Sequence, residues 1–190
     1  MRGVVNWIAR TLWDLISRAE KPRGERAASA APVQKASAKS KREKHEPTRA
    51  TPMQQRYDAL VVEMKRTYGV RVRKWRSSSS GCAWEVKYDN GSLRRLIESP
   101  YPKGPMSCAI FLHEIGHHAI GFRTYKPRCL EEYHAWKWAL ETMEERGFNV
   151  TDAVRKRMHD SLRYAVAKAR RRGLQHLPVE LLVYLQAEQK

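Results

Sequence analysis

Cysteine is scarce. Cys82, Cys108 and Cys129 are the three in 190 residues, and no two form a Cys-x-x-Cys pair, which excludes a disulfide scaffold and a zinc ribbon. Reduced thiols in a cytoplasmic protein are the expectation. Long apolar runs are missing too: Arg10, Asp14 and Arg18 interrupt the N-terminal candidate, so neither a spanning helix nor the apolar centre of a secretory signal is expected. Acidic side chains are few, 20 Asp and Glu against 37 Lys and Arg, leaving a formal net charge of +17 that suits an anionic partner such as nucleic acid or acidic lipid. The excess is +7 over residues 1–52, +5 over 53–150 and +5 over 151–190, so contact with nucleic acid would belong mainly to the basic tails. What the chain does have is 42% hydrophobic residues, enough for one modest domain with appendages and too many for wholesale disorder.

Composition divides the chain into four parts. Over residues 1–20, Val4, Val5, Ile8, Leu12, Leu15 and Ile16 share one face of an amphipathic helix, a pattern that suits peripheral membrane contact and equally a partner protein. Residues 21–52 lack apolar side chains and any period, and read as a disordered basic linker. Residues 53–147 carry the folded domain, and 148–190 form a basic helical extension in which Thr151 caps a helix running to about Arg172 and Pro178 to Leu185 forms a short final helix.

The domain opens with a helix from Met53 to Tyr68, where Tyr57, Leu60, Val61 and Met64 recur at helical spacing until Gly69. Three short strands follow: Val70 and Val72 alternate with arginines, Cys82, Trp84, Val86 and Tyr88 alternate again, and Asp89-Asn90-Gly91 turns the chain into a third strand near Leu93 to Ile97. An antiparallel-type sheet is expected, with the third strand as the edge to which an extended substrate adds.

Met106 to Ile120 reads MSCAIFLHEIGHHAI, an almost wholly apolar helix set with His113, Glu114, His117 and His118. Buried imidazoles and carboxylates without partners cost several kcal/mol, so this set requires compensation, and a divalent metal provides it. His113 and His117, four apart, reach one ion from the same side, and Glu114 can reach a water that the ion activates. With seven His in 190 residues, chance would produce His-Glu-x-x-His in this chain with a probability of about 0.02, which leaves the metal reading well ahead of a core of hydrogen-bonded histidines. His118 has no counterpart in the motif and is expected beside the site or facing solvent.

A third protein ligand must come from later in the chain. Ile120 and Arg123 stand where a metzincin needs Gly and His, which excludes that class. In CLEEYHAWKWALETM, Glu132 shares a helical face with Ala135, Trp136, Ala139 and Met143 and is the third ligand, with Glu131 and His134, expected on another face, as alternatives. Tyr125, Tyr133, His134, His159 and His176 are unranked donors for an oxyanion.

The order helix, three strands, HEIGHH helix, then E-x-x-A-x-x-W-A over Glu132 to Ala139, resembles the ImmA/IrrE metallopeptidase family, with its HE[LI]GH and E-x-x-A-N-x-F-A motifs. The resemblance spans roughly Met53 to Met143. Trp136 stands in place of the usual Asn and Trp138 of the usual Phe, and fourteen residues separate His117 from Glu132. The resemblance implies an α+β, minimal zincin-like domain whose sheet packs on the HExxH helix and a Glu-bearing helix. It also implies Zn²⁺ held by His113, His117 and Glu132, and Glu114 as the base that activates water for hydrolysis of a peptide bond in a protein substrate. A DNA-associated SprT-like protease would add a histidine ligand and often a Cys-rich ribbon, and the ribbon is absent. The rival is non-enzymatic: an accessory protein on nucleic acid or membrane whose metal site is structural or vestigial. Retention of Glu114 speaks against it, because a structural site needs no base.

Overall fold

The computed structural model describes residues 51–185. The expectations for residues 1–20, and for the linker up to residue 50, lie outside the described residues. The first helix, α1, spans Pro52–Thr67; the Thr51 hydroxyl accepts the Gln54 amide at 3.2 Å, capping amides that have no carbonyl partner in the helix, and Pro sits in its first turn. Tyr57, Leu60, Val61 and Met64 are its buried face. Gly69, at φ +61, ends it in the left-handed conformation that suits a residue without Cβ.

Strands β1 (Val70–Arg76), β2 (Cys82–Lys87) and β3 (Leu93–Pro100) form a mixed sheet in the order β1-β3-β2. The hairpin between β2 and β3 is antiparallel, in the register Trp84↔Leu96, and turns at Gly91 as its Asn-Gly dipeptide predicts. The purely antiparallel sheet and the substrate-binding third edge both need correction: β1 runs parallel to β3, pairing Val72 with Ile97, so β3 is central and its two edges are occupied. The reason is long-range pairing. Arg73 and Arg76 of β1 both clasp Glu98 of β3, at 3.1 and 2.9 Å, and Ile97 is fully buried, which places β3 over the core. The free edges are β1 and β2.

Helix α2 (Pro105–Ile120) is the middle of the molecule, covered on one side by the sheet and on another by α3 (Arg128–Glu145). A helix that is apolar all round belongs inside, and Phe111, Leu112 and Ile115 are completely buried. Each such side chain contributes about 1.5–3 kcal/mol by leaving water. Helix α4 (Asp152–Arg171) lays Val154, Leu162, Ala165 and Val166 inward, with Thr151 as its cap, at 3.3 Å from the Val154 amide. Val154 and Leu162 share the α2 core, while Ala165 and Val166 close a smaller cluster with Cys129 and Leu181. The final short helix is a 3-10 helix, Val179–Tyr184. The described fold is therefore α+β. No helix among the described residues is long and apolar enough to cross a membrane.

Candidate metal centre

Helices α2 and α3 cross where α2 presents no side chain. A Cβ on Gly116 would stand 2.8 Å from the carbonyl oxygen of Ala135 and 3.2 Å from the Trp138 ring, so the crossing depends on glycine. This close approach brings His113 and His117 of α2 against Glu132 of α3. Glu132 Oε2 lies 3.3 Å from His113 Nε2 and 3.6 Å from His117 Nε2, and one donor atom from each of the three residues falls within 4.8 Å of the others. Ligand atoms about 2.0–2.1 Å from a tetrahedral ion stand about 3.3–3.4 Å apart, so the spacing suits one ion. His113 Nδ1, Glu114 Oε2 and both ring nitrogens of His117 are buried without a hydrogen-bond partner. Of these, His117 Nε2 faces Glu132 Oε2 within the trio and is the orphan that a cation there would satisfy. The buried trio could hold a metal ion.

The neighbours fix the rings. Trp136 stacks on His113 at 4.3 Å between centroids, and Phe122 lies parallel to His117 at 5.9 Å. Glu131, expected to point elsewhere, is buried against the far side of His117, with Oε1 3.5 Å from Nδ1, while Oε2 accepts the Arg123 amide at 2.8 Å. Adjacent residues on α3 reach opposite nitrogens of one imidazole because α2 crosses directly above them. Arg128 braces both carboxylates, at 3.0 Å from Glu131 Oε1 and 3.0 Å from Glu132 Oε1. The sequence signal for Glu131 was the Glu-Glu pair itself, given that ligating histidines are usually oriented by a carboxylate or carbonyl.

Electrostatics follow burial and these contacts. Burial draws His113 down to about 4, with Glu132 opposing, which keeps its ring neutral. For His117 burial is outweighed by Glu132 and Glu131, which lift it to about 9. Burial alone would raise Glu132, but the charge of His117 and its close contacts with both imidazoles hold it well below the ordinary carboxylate range. Glu114, 1% exposed, is pushed up to about 8 by burial, with the charge of His117 opposing.

Comparison of the chain with protein-family profiles, with curated proteins and with solved structures finds no match. The resemblance to the ImmA/IrrE family thus rests on the residues of its two motifs.

Glu114 is held by the loop before β2. A Cβ on Gly81 would come within 2.5 Å of Glu114 Oε1, so glycine is what admits the carboxylate. Arg157 of α4 ties this loop down by donating to the Ser79 carbonyl at 2.7 Å, and the Glu114 carboxylate in turn favours the charged form of Arg157. Arg157 was missed in sequence because nothing local distinguishes it from the other arginines of α4. His118 is buried, not solvent-facing: Nε2 bonds the Leu96 carbonyl at 3.2 Å, and burial lowers it to about 4, so it pins α2 to β3 as a neutral donor. His134 stacks on Tyr125 at 3.7 Å and His159 packs on Tyr184 at 5.3 Å, apart from the trio; Tyr133 packs beside His134, and His176 is exposed.

Proposed function

We propose that the chain is a zinc-dependent metallopeptidase of the ImmA/IrrE-like, minimal zincin kind, hydrolysing a peptide bond in a protein substrate. The observation that carries this reading is Glu114. A carboxylate buried one residue after a ligand, beside the trio and with one oxygen unpartnered, has no use in a purely structural site and is the group a hydrolase requires. Two imidazoles and a carboxylate are the donor set of catalytic zinc, which keeps its remaining position for water.

His113 Nε2, His117 Nε2 and Glu132 Oε2 would hold the ion, and Glu131 would keep the proton of His117 on Nδ1 so that Nε2 is free to ligate. When bound, zinc supplies Lewis-acid activation of water and of the scissile carbonyl. Glu114 takes the proton at Oε2 and later returns it to the leaving amine. Its elevation to about 8 by burial, which the ion's charge offsets, keeps it near the range where a carboxylate can both accept and donate. Gly81 and Arg157 hold the loop that orients Glu114, and Arg76 and Arg128 are cations whose charge favours its ionised form. Three free, buried thiols suit a reducing compartment such as the cytoplasm.

Metal analysis and peptide digestion test the proposal. The purified chain should carry about one zinc, lost in His113→Ala and Glu132→Ala. Glu114→Gln should keep the zinc and lose cleavage of a mixed peptide library read by mass spectrometry. Zinc retained in Glu132→Ala, or cleavage undiminished in Glu114→Gln, would overturn the reading.

A further inference from the structure

Beside the ligand carboxylate the surface opens into a cavity of about 570 Å³ between the start of α3 and the last turns of α4. Ala169 and Leu174 give it an apolar wall, and Arg128, Lys168, Arg172 and Glu132 supply its charges. Glu132 does not balance three cations. Its Oε1 already accepts from Arg128 Nε and Nη2 at 3.1 and 3.0 Å, and its Oε2 faces the two imidazoles. Glu131 is committed as well, 3.0 Å from Arg128 Nη1. Among the described residues no carboxylate lies within ion-pair distance of the Lys168 or Arg172 side chains, whereas Lys156 of the same helix has Asp160 at 2.6 Å. Lys168 is held below its ordinary value by burial and then by Arg172, with Arg128 and Arg171 adding to the effect and Glu132 opposing it. Solvated surface cations spread outward; these line a concavity whose wall includes the ligand carboxylate.

The geometry points to this cavity as the subsite for an acidic side chain of the peptide substrate. A glutamate there lays its methylenes along Ala169 and Leu174 and sets its carboxylate between Lys168 and Arg172, where charge-assisted hydrogen bonds are strongest. The inference rests on the peptidase reading, because Glu132 is the one residue that both lines the cavity and belongs to the trio. A nucleic-acid strand fits less well, because no aromatic side chain lines the cavity to stack a base.

The test measures binding, not turnover. Full-length Glu114→Gln protein, with and without zinc, is titrated with the capped peptide Ac-Ala-Ala-Glu-Ala-Ala-NH2, with its Gln counterpart and with inorganic phosphate, followed at the amide resonances of Gly173 and Leu174. The Glu peptide should bind about tenfold tighter than the Gln peptide. Adding Lys168→Gln and Arg172→Gln should erase that preference while zinc content and the circular dichroism spectrum stay unchanged. Equal affinity for the two peptides, or a preference that survives the double substitution, overturns the subsite. So does tighter binding of phosphate than of the Glu peptide, which would make the cavity a phosphate site. A protein that takes up no zinc when zinc is supplied sinks the peptidase reading and the subsite with it; zinc bound without acid preference sinks the subsite alone.

Discussion

Gly116 of α2 meets the backbone of Ala135 of α3 so closely that a single methyl group would stand 2.8 Å from the carbonyl oxygen. That contact sets how near the two imidazoles come to Glu132. Gly116→Ala gains about 1 kcal/mol of helix propensity but overpacks a buried crossing at about 1–3 kcal/mol, and the backbone oxygen cannot swing aside. The helices must separate, so a lowered Tm and weakened zinc binding are expected together. A variant with unchanged metal affinity in a dye competition would contradict this account of the crossing.

Gly81 acts on Glu114 instead. A Cβ there collides with Glu114 Oε1 and Cγ, at 2.5 and 2.6 Å, which are side-chain atoms able to turn away. Gly81→Ala should therefore fold and bind zinc like the parent while kcat falls about 10²-fold or more, the contribution of a positioned general base. Metal content and turnover measured on one preparation separate the two effects.

Glu131 faces the ring nitrogen of His117 remote from the trio. Substituting Glu131→Gln removes the charge that orients His117 and should weaken zinc affinity by about 10–100-fold without changing the stoichiometry at saturation. Glu132→Gln, in contrast, should fail to saturate. Chelator competition distinguishes them, and equal affinities for the parent and Glu131→Gln would remove Glu131 from the metal's support.

Zinc binding should release protons near neutral pH. His117 is lifted to about 9 by Glu132 and Glu131 and is protonated at pH 7, whereas His113, drawn to about 4, is not. The metal must displace the His117 proton, so apparent affinity falls as pH drops. Calorimetry in buffers of different ionisation enthalpy should report at least about one proton released per zinc. A value of zero would show that His117 is neutral before the metal arrives.

Tyr101, at the entry to α2, donates to Asp58 of α1 at 2.6 Å, which with burial pushes the phenol up to about 12. Because its folded value lies above the ordinary 10.0, the stability it contributes is fully present below 10 and is lost as pH rises through about 12. Ultraviolet titration should place this tyrosinate above the others, and Tyr101→Phe should flatten the alkaline part of the stability profile.

Local chemistry made much of this protein readable from its residues. The helical spacing of Tyr57 to Met64, Thr151 at a helix start, Asp89-Asn90-Gly91 at the hairpin and the apolarity of Met106 to Leu112 act over a few positions, so sequence neighbours sufficed to place α1, the β2-β3 hairpin, α2 and α4. His113 and His117 share a side because 3.6 residues make a turn, and Glu132 stood out as a charge on an apolar face. Contacts distant in the chain had no such local mark. The parallel pairing of β1 with β3 depends on Arg73 and Arg76 meeting Glu98, more than twenty residues away. Glu131 belongs to the site because of where α2 crosses α3, an angle that the helical wheel of α3 alone cannot contain. Arg157 reaches Glu114's loop from α4, and Lys168 and Arg172 form a cavity only once α4 lies beside α3. Period and capping belong to the covalent chain; which faces meet is decided when the whole core closes at once.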